Sequence, residues 1–243
     1  MITKSEVLVV IPAFNEEATV AQVISGVQAE GFAVVVVNDG STDATAALSR
    51  SAGADVLSLP LNAGVGGALH TGFRFAVAHG YRAIIQCDAD GQHPSKHLTD
   101  LLDAANHYDA DIVIGSRFKS DTKSMEISST RKLAMSCLAI IASYATKHKI
   151  TDATSGFRII TQPLLREFAE SFPTYYLGDT FEAVVVAGRA GYNVIEIGAP
   201  IAPRMSGSST STSARSVGLI AKSLFVVVFG LHFRIAEKNY TPA

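Results

Sequence analysis

Asp88 and Asp90, separated by Ala89, follow the apolar run Ala83-Ile84-Ile85-Gln86-Cys87, and Gln92 stands two residues further on. Alternate residues of an extended segment share a face, so one carboxylate can meet a metal while its neighbour orients from nearby; Gln92 adds a third oxygen. Oxygen-only donors suit a hard cation, Mg2+ or Mn2+, which keeps waters and bridges protein carboxylates to a substrate diphosphate. A D-x-D triplet alone also fits an acidic turn at a strand end. A third carboxylate, Asp39, precedes Gly40 and the hydroxyls of Ser41 and Thr42. It can accept hydrogen bonds from a nucleobase or ribose, while the small residues let a ligand come close. The same stretch reads as a capping turn, with Ser41 as N-cap and Asp43 in the first helical turn.

Arg117, Arg131, Arg158 and Arg204 fall in or near expected loops and helix starts. A guanidinium fork matches phosphate oxygens better than an ammonium does, which makes Arg117, Arg131 and Arg204 the foremost candidates for an anionic acceptor. Surface ion pairing is the plainer account of any single one. Asp179 and Glu182, in Gly178-Asp179-Thr180-Phe181-Glu182, can act as a base toward a hydroxyl acceptor, or cap a helix and face water.

Other chemistries find no footing. The stretch Gly64-Val65-Gly66-Gly67 is not a Walker A loop, since no Gly-Lys-Ser/Thr follows, and Leu69 fills the third glycine place of G-x-G-x-x-G. His93 and His97 have Pro94 and a helix start between them, which favours solvated or capping histidines over a shared zinc site. No G-x-S-x-G elbow is present.

These residues need a scaffold. Apolar, β-branched runs recur at 7–11, 34–37, 56–59, 83–87 and 111–114. Helices are expected at about 16–30, 42–52, 66–79 and 95–106, where Asn15 and Ser41 can cap and Pro94 suits a helix start. The alternation predicts an α/β, Rossmann-like and mostly parallel sheet covered by helices. Ligands of such sheets bind beyond the carboxyl ends of the strands, where residues 12–16, 38–43, 62–67 and 88–92 follow the first four runs. Past residue 115 the pattern gives a helix from Arg131 to about Lys147, two further helical segments and a strand near 194–198. The run at 206–213, SGSSTSTS, is a linker or lid, dividing a catalytic domain (1–213) from a C-terminal helical appendage (214–243).

With 48% hydrophobic and 17% charged residues the 243-residue chain is neither disordered nor disulfide-stapled. A formal charge of −2 supplies no field for nucleic acid. Cys87 and Cys137 have no pairing pattern and read as reduced thiols; the first apolar run is too short for a signal peptide, so a cytoplasmic protein is expected. Residues 204–243 hold five Lys/Arg against one Glu. The run 217–231 falls short of the ~20 residues a membrane span needs, so this tail is expected to rest on the inner face of the membrane or to pack on the domain or a second subunit.

The order of motifs resembles glycosyltransferase family 2 with its GT-A fold. IPAFNEE, VVNDGSTDAT, N-x-G-x-G, CDADGQHP, GSRF, SGFR and GYNVIEIGAP…R…GSS follow one another over about residues 7–209. Within the family the chain looks most like the polyprenyl-phosphate (dolichyl-phosphate) mannosyl- and glucosyltransferases. The resemblance implies a nucleotide-sugar donor site built from Pro12, Ala13, Asn15, Glu16, Asp39, Gly66, Asp88 and Ala89. It implies that Asp88, Asp90 and Gln92 hold the metal and diphosphate, and that Arg117, Arg131 and Arg204 receive the acceptor phosphate. Asn38 departs from the pattern, standing where many members have a second Asp. The expected activity is inverting transfer of a hexose to a polyprenyl phosphate. Transfer to a hydroxyl of a lipid-linked or soluble glycan and a non-catalytic nucleotide-sugar-binding homologue are the alternatives.

Overall fold

The computed structural model describes residues 1–119, 129–172, 179–199, 235, 237 and 238. The β-branched runs form β1 (Val7–Ala13), β2 (Ala33–Asn38), β3 (Asp55–Ser58), β4 (Ala83–Gln86), β5 (Ile112–Ser116), β6 (Arg158–Thr161) and β7 (Val194–Gly198). They make one sheet in the order β3-β2-β1-β4-β6-β5-β7. Only β6 runs antiparallel to its neighbours β4 and β5. Parallel strands are covered on both faces, which is why β1 and β2 are apolar almost throughout.

The two-residue period sorts each strand between two cores. Val7, Val9 and Ile11 pack with α1 (Val20–Ala29) and α4 (His97–Tyr108). Leu8 and Val10 face the other way, onto α3 (Gly64–Ala78), α5 (Ser129–Thr146), α6 (Leu164–Glu170) and α7 (Asp179–Arg189). Here Phe73 meets Phe172 edge-on at 4.9 Å between centroids and lies over Phe168 at 6.2 Å, each ring contributing roughly 2–3 kcal/mol by its burial. Gly72 lets α3 settle directly on β1, because a Cβ there would collide with Val10.

Three expectations are corrected. The four-residue β6 was not expected: it opens on Arg158, a residue type that normally faces water, yet this side chain is fully buried. The helix expected from 16 begins at Val20 and the one from 42 at Thr45 (α2, Thr45–Ser51), because Asn15 and Ser41 do not cap. Instead Asn15, in the left-handed region at φ 56°, donates its N–H to Ser41 Oγ at 3.0 Å and accepts from Thr42 N at 2.9 Å. The polar groups that were to start two helices stitch two loops together.

Among the described residues no helix is long and apolar enough to cross a membrane. The expected linker at 206–213 and nearly all of the expected helix at 214–243 lie outside the described residues. Of that segment Ile235 packs against the α5–α7 core, and Lys238 donates its N–H to Ala190 O at 2.9 Å and its ammonium to Asp111 Oδ2 at 2.8 Å.

Candidate active site

The motifs that follow β1, β2, β4 and β5 lie at the carboxyl ends of those strands, and SGFR enters the antiparallel β6 from the same edge. Asp39, at the end of β2, is 4% exposed, and its Oδ1 accepts the N–H of Ala63 at 2.7 Å. Burial raises its pKa, while the amides of Ala63 and Gly64 pull against that rise. Part of the carboxylate expected to read a nucleobase thus fastens β2 to the start of α3. Gly40 is needed beside it: φ is +72°, and a Cβ would sit 2.8 Å from Asn62 N and 2.9 Å from Leu61 C. Asn38 closes the same turn, accepting from Ser41 N at 3.2 Å.

The first loop is laced to the second. Glu16 N donates to the buried Thr45 hydroxyl at 2.8 Å, Glu17 Oε2 accepts from Ala44 N at 2.9 Å, and Asp43 Oδ2 accepts from Glu17 N at 3.2 Å. Pro12 and Ala13 lie in the last part of β1, beside Val37 and Asn38 of β2. Gly66 sits in the first turn of α3, which begins at Gly64 rather than 66. The structure therefore gathers Pro12, Ala13, Asn15, Glu16, Asp39 and Gly66 along neighbouring strand ends.

Asp88 and Asp90 do not alternate on a strand as expected. β4 ends at Gln86 and the chain turns at Ala89-Asp90, so the two carboxylates meet different surroundings. Asp90 is 6% exposed and its Oδ1 accepts from Gln92 N at 3.0 Å, whereas the Asp88 side chain is 42% exposed. Burial, with both carboxylates nearby, pushes the Cys87 thiol far up, which leaves it neutral and inert.

Among the described residues no three His, Cys, Asp or Glu side chains gather as a self-sufficient cation cage. Asp88, Asp90 and Gln92 offer two carboxylates and an amide oxygen within five residues, joined by the Gln92 N to Asp90 Oδ1 hydrogen bond, with Asp88 open to solvent. That fits Mg2+ or Mn2+, which take one or two carboxylates and fill the rest of the shell with phosphate and water. It does not fit a closed zinc site.

The arginines divide. Arg117 grips Asp152 with two 2.7 Å hydrogen bonds and reaches Thr154 Oγ1 at 3.0 Å. Burial alone would lower its pKa, but the hydrogen bonds and charge of Asp152, with Asp88 adding, raise it. Arg158 donates to Gln86 Oε1 and to Thr180 O, both at 3.0 Å, tying β6 to β4 and to the first turn of α7. Arg131 lies in the first turn of α5, its side chain outside the described residues, as is Arg204. Asp179 is the first residue of α7, its side chain likewise outside the description. Glu182 is 7% exposed and so does not face water.

Sequence reasoning passed over two residues and misplaced a third. Asp152 is the buried partner of Arg117. Glu196 accepts from Thr151 N at 3.0 Å and from Asp152 N at 2.7 Å; a lone acid in the apolar strand Val194–Gly198 was its signal. His93 was expected as a solvated or capping histidine, but it stacks on Phe157 with centroids 4.8 Å apart and its side chain is 8% exposed.

Residues 8–168 match the profile of Glycosyl transferase family 2. The undecaprenyl-phosphate mannosyltransferase of Micrococcus luteus is 28% identical over 211 residues, covering 84% of this chain and 86% of its own. The UDP-N-acetylglucosamine–dolichyl-phosphate N-acetylglucosaminyltransferase of Methanococcus voltae is 25% identical over 209 residues, covering 79% and 83%. Glucosyl-3-phosphoglycerate synthase from Mycobacterium tuberculosis, solved with Mn2+, UDP and phosphoglyceric acid, superposes with a TM-score of 0.68 at 20% identity, over 90% of this chain and 77% of that one. This likeness shows the GT-A fold. With the profile spanning from β1 into α6, two thirds of its length, the chain belongs to glycosyl transferase family 2.

Proposed function

We propose that the protein is an inverting hexosyltransferase that moves a sugar from a nucleotide diphosphate donor to a polyprenyl phosphate at the cytoplasmic face of the membrane. The observation that carries this reading is the half-exposed Asp88 carboxylate beside buried Asp90, at the strand edge that the Arg117–Asp152 loop also reaches. Relatives that act on undecaprenyl and dolichyl phosphates support the choice of acceptor.

The chemistry asks little of a general base. A phosphate monoester has its second pKa near ~6 and is mostly dianionic at neutral pH. One of its oxygens forms the new bond to the anomeric carbon while the bond from that carbon to the diphosphate oxygen breaks, the electron pair leaving with the nucleoside diphosphate. Configuration inverts. Asp88, Asp90 and Gln92 would hold Mg2+ or Mn2+, which when bound neutralises charge growing on the departing diphosphate. Pro12, Ala13, Asn15, Glu16, Asp39, Gly66 and Ala89 border the donor, and Arg131 and Arg204 receive the acceptor phosphate. Asp179 and Glu182 are reserved for a hydroxyl acceptor, which alone would need a base. The basic, apolar residues 214–243 are assigned to the membrane surface.

The test is incubation with a panel of nucleotide sugars, Mn2+ or Mg2+ and short polyprenyl phosphates, read by mass spectrometry. A polyprenyl phosphate hexose is expected. Glycan products with no lipid product would overturn the acceptor assignment.

A further inference from the structure

Three motifs that lie apart in the sequence, CDADGQHP, GSRF and SGFR, meet in one stack. Gly115 lacks the Cβ that would lie 2.6 Å from Phe157 Cδ1, and its N–H donates to Phe157 O at 2.8 Å. The Phe157 ring, 1% exposed, is thereby wedged in place and lies flat on His93, with planes 8° apart. His93 presents Nε2 to Asp88 Oδ2 at 3.4 Å. Gly156 backs onto the same carboxylate: a Cβ there would sit 3.2 and 3.3 Å from its two oxygens and 3.1 Å from Gln86 Nε2.

The geometry points to His93 as a positioning residue that, held flat by Phe157, fixes the direction of the Asp88 carboxylate toward the cation and diphosphate. This rests on the metal-dependent donor reading above. A carboxylate as open as Asp88 can turn among several rotamers, and ligands of a metal are commonly oriented by an outer hydrogen-bonding partner. Buried imidazoles need polar partners; the Nε2–H tautomer finds one here in Asp88. Stacking on a wedged ring stops the imidazole from rotating away, and the Gly156 backbone leaves the carboxylate no room behind it. The Gly115, Phe157, His93 and Asp88 contacts therefore form one line of support running from β5 to the strand edge of β4.

Two substitutions separate positioning from packing. His93→Phe keeps a flat ring on Phe157 and loses the N–H; His93→Gln keeps an N–H of similar reach and loses the stack. Mn2+ binding to the full chain is followed by electron paramagnetic resonance, with UDP and GDP in parallel, beside thermal melting. The expected order of Mn2+ affinity is wild type, then His93→Gln, then His93→Phe, the last at least about tenfold weaker with an unchanged melting temperature. A packing role reverses the order: His93→Phe binds like wild type, while His93→Gln weakens along with its melting temperature. That reversal overturns the proposal and leaves the donor reading intact. If wild type itself binds no Mn2+ with either nucleotide, the donor reading falls and this inference with it.

Discussion

Arg117 meets Asp152 in a two-pronged ion pair, Nε and Nη2 each donating at 2.7 Å to a different oxygen of a carboxylate that is wholly shielded from solvent. The backbone N–H of Arg117 reaches the same carboxylate at 3.1 Å. The fork expected to face an acceptor phosphate is engaged in holding the loop at 151–157 against the end of β5.

Asp152→Ala should therefore cost stability, on the order of 3 kcal/mol, since it strips a mostly buried guanidinium of its partner. Chemical denaturation measures the loss. Arg117→Ala should also lower the melting temperature; an unchanged melting temperature with a raised KM for acceptor would return Arg117 to direct phosphate contact.

Asp90→Asn should abolish transfer while the fold survives, because an amide oxygen can still accept from Gln92 N but carries no charge for a cation. EDTA should do the same to wild type. Full turnover in metal-free buffer would sink the metal assignment.

Asp39 predicts a pH signature. Its folded-state pKa lies above the ordinary 3.8, so the folded form holds the proton longer, and stability falls as pH rises from about that value through the raised one. Asp39→Asn removes this fall and keeps an acceptor for Ala63 N. The variant's stability relative to wild type should thus grow across that window in denaturation series, while nucleotide-sugar affinity drops. Parallel pH curves would contradict it.

Gly40→Ala should lose stability and donor binding together, since the new methyl meets backbone atoms of Leu61 and Asn62 and the residue keeps a left-handed φ. The combined cost is about 1–3 kcal/mol by denaturation. Wild-type stability would show that the turn can relax.

The parallel half of the sheet was legible because Val7–Ile11, Val34–Val37 and Ala83–Cys87 are short apolar runs with turn signals behind them. β6 was not, since its first residue is a buried arginine whose partners, Gln86 and Thr180, lie 72 and 22 residues away. The place of Asp88 and Asp90 was legible from the run before them; their different burial was not, because it depends on a turn at Ala89 and on Gly156 from a distant loop. Asn15 and Ser41 carried the right chemistry for caps, and tertiary partners won.

The contacts of Ile235 and Lys238 alter what the C-terminal segment is topologically. The chain leaves the sheet at Ala199, past the carboxyl end of β7, and is made fast again at Asp111, just before β5 begins at the opposite edge. The last residues of the chain are thus moored to the domain, through Ile235 on the helical core and Lys238 on Ala190 and Asp111. Asp111 leads directly into β5, the strand that ends beside Arg117, so this mooring bears on an element of the candidate site. Cutting the chain at 214 casts off this mooring and strips the ammonium from a carboxylate that is 4% exposed. Excising residues within 206–231 while keeping Ile235 and Lys238 removes the basic, apolar run and leaves the partners of Asp111 and Ala190 in the chain.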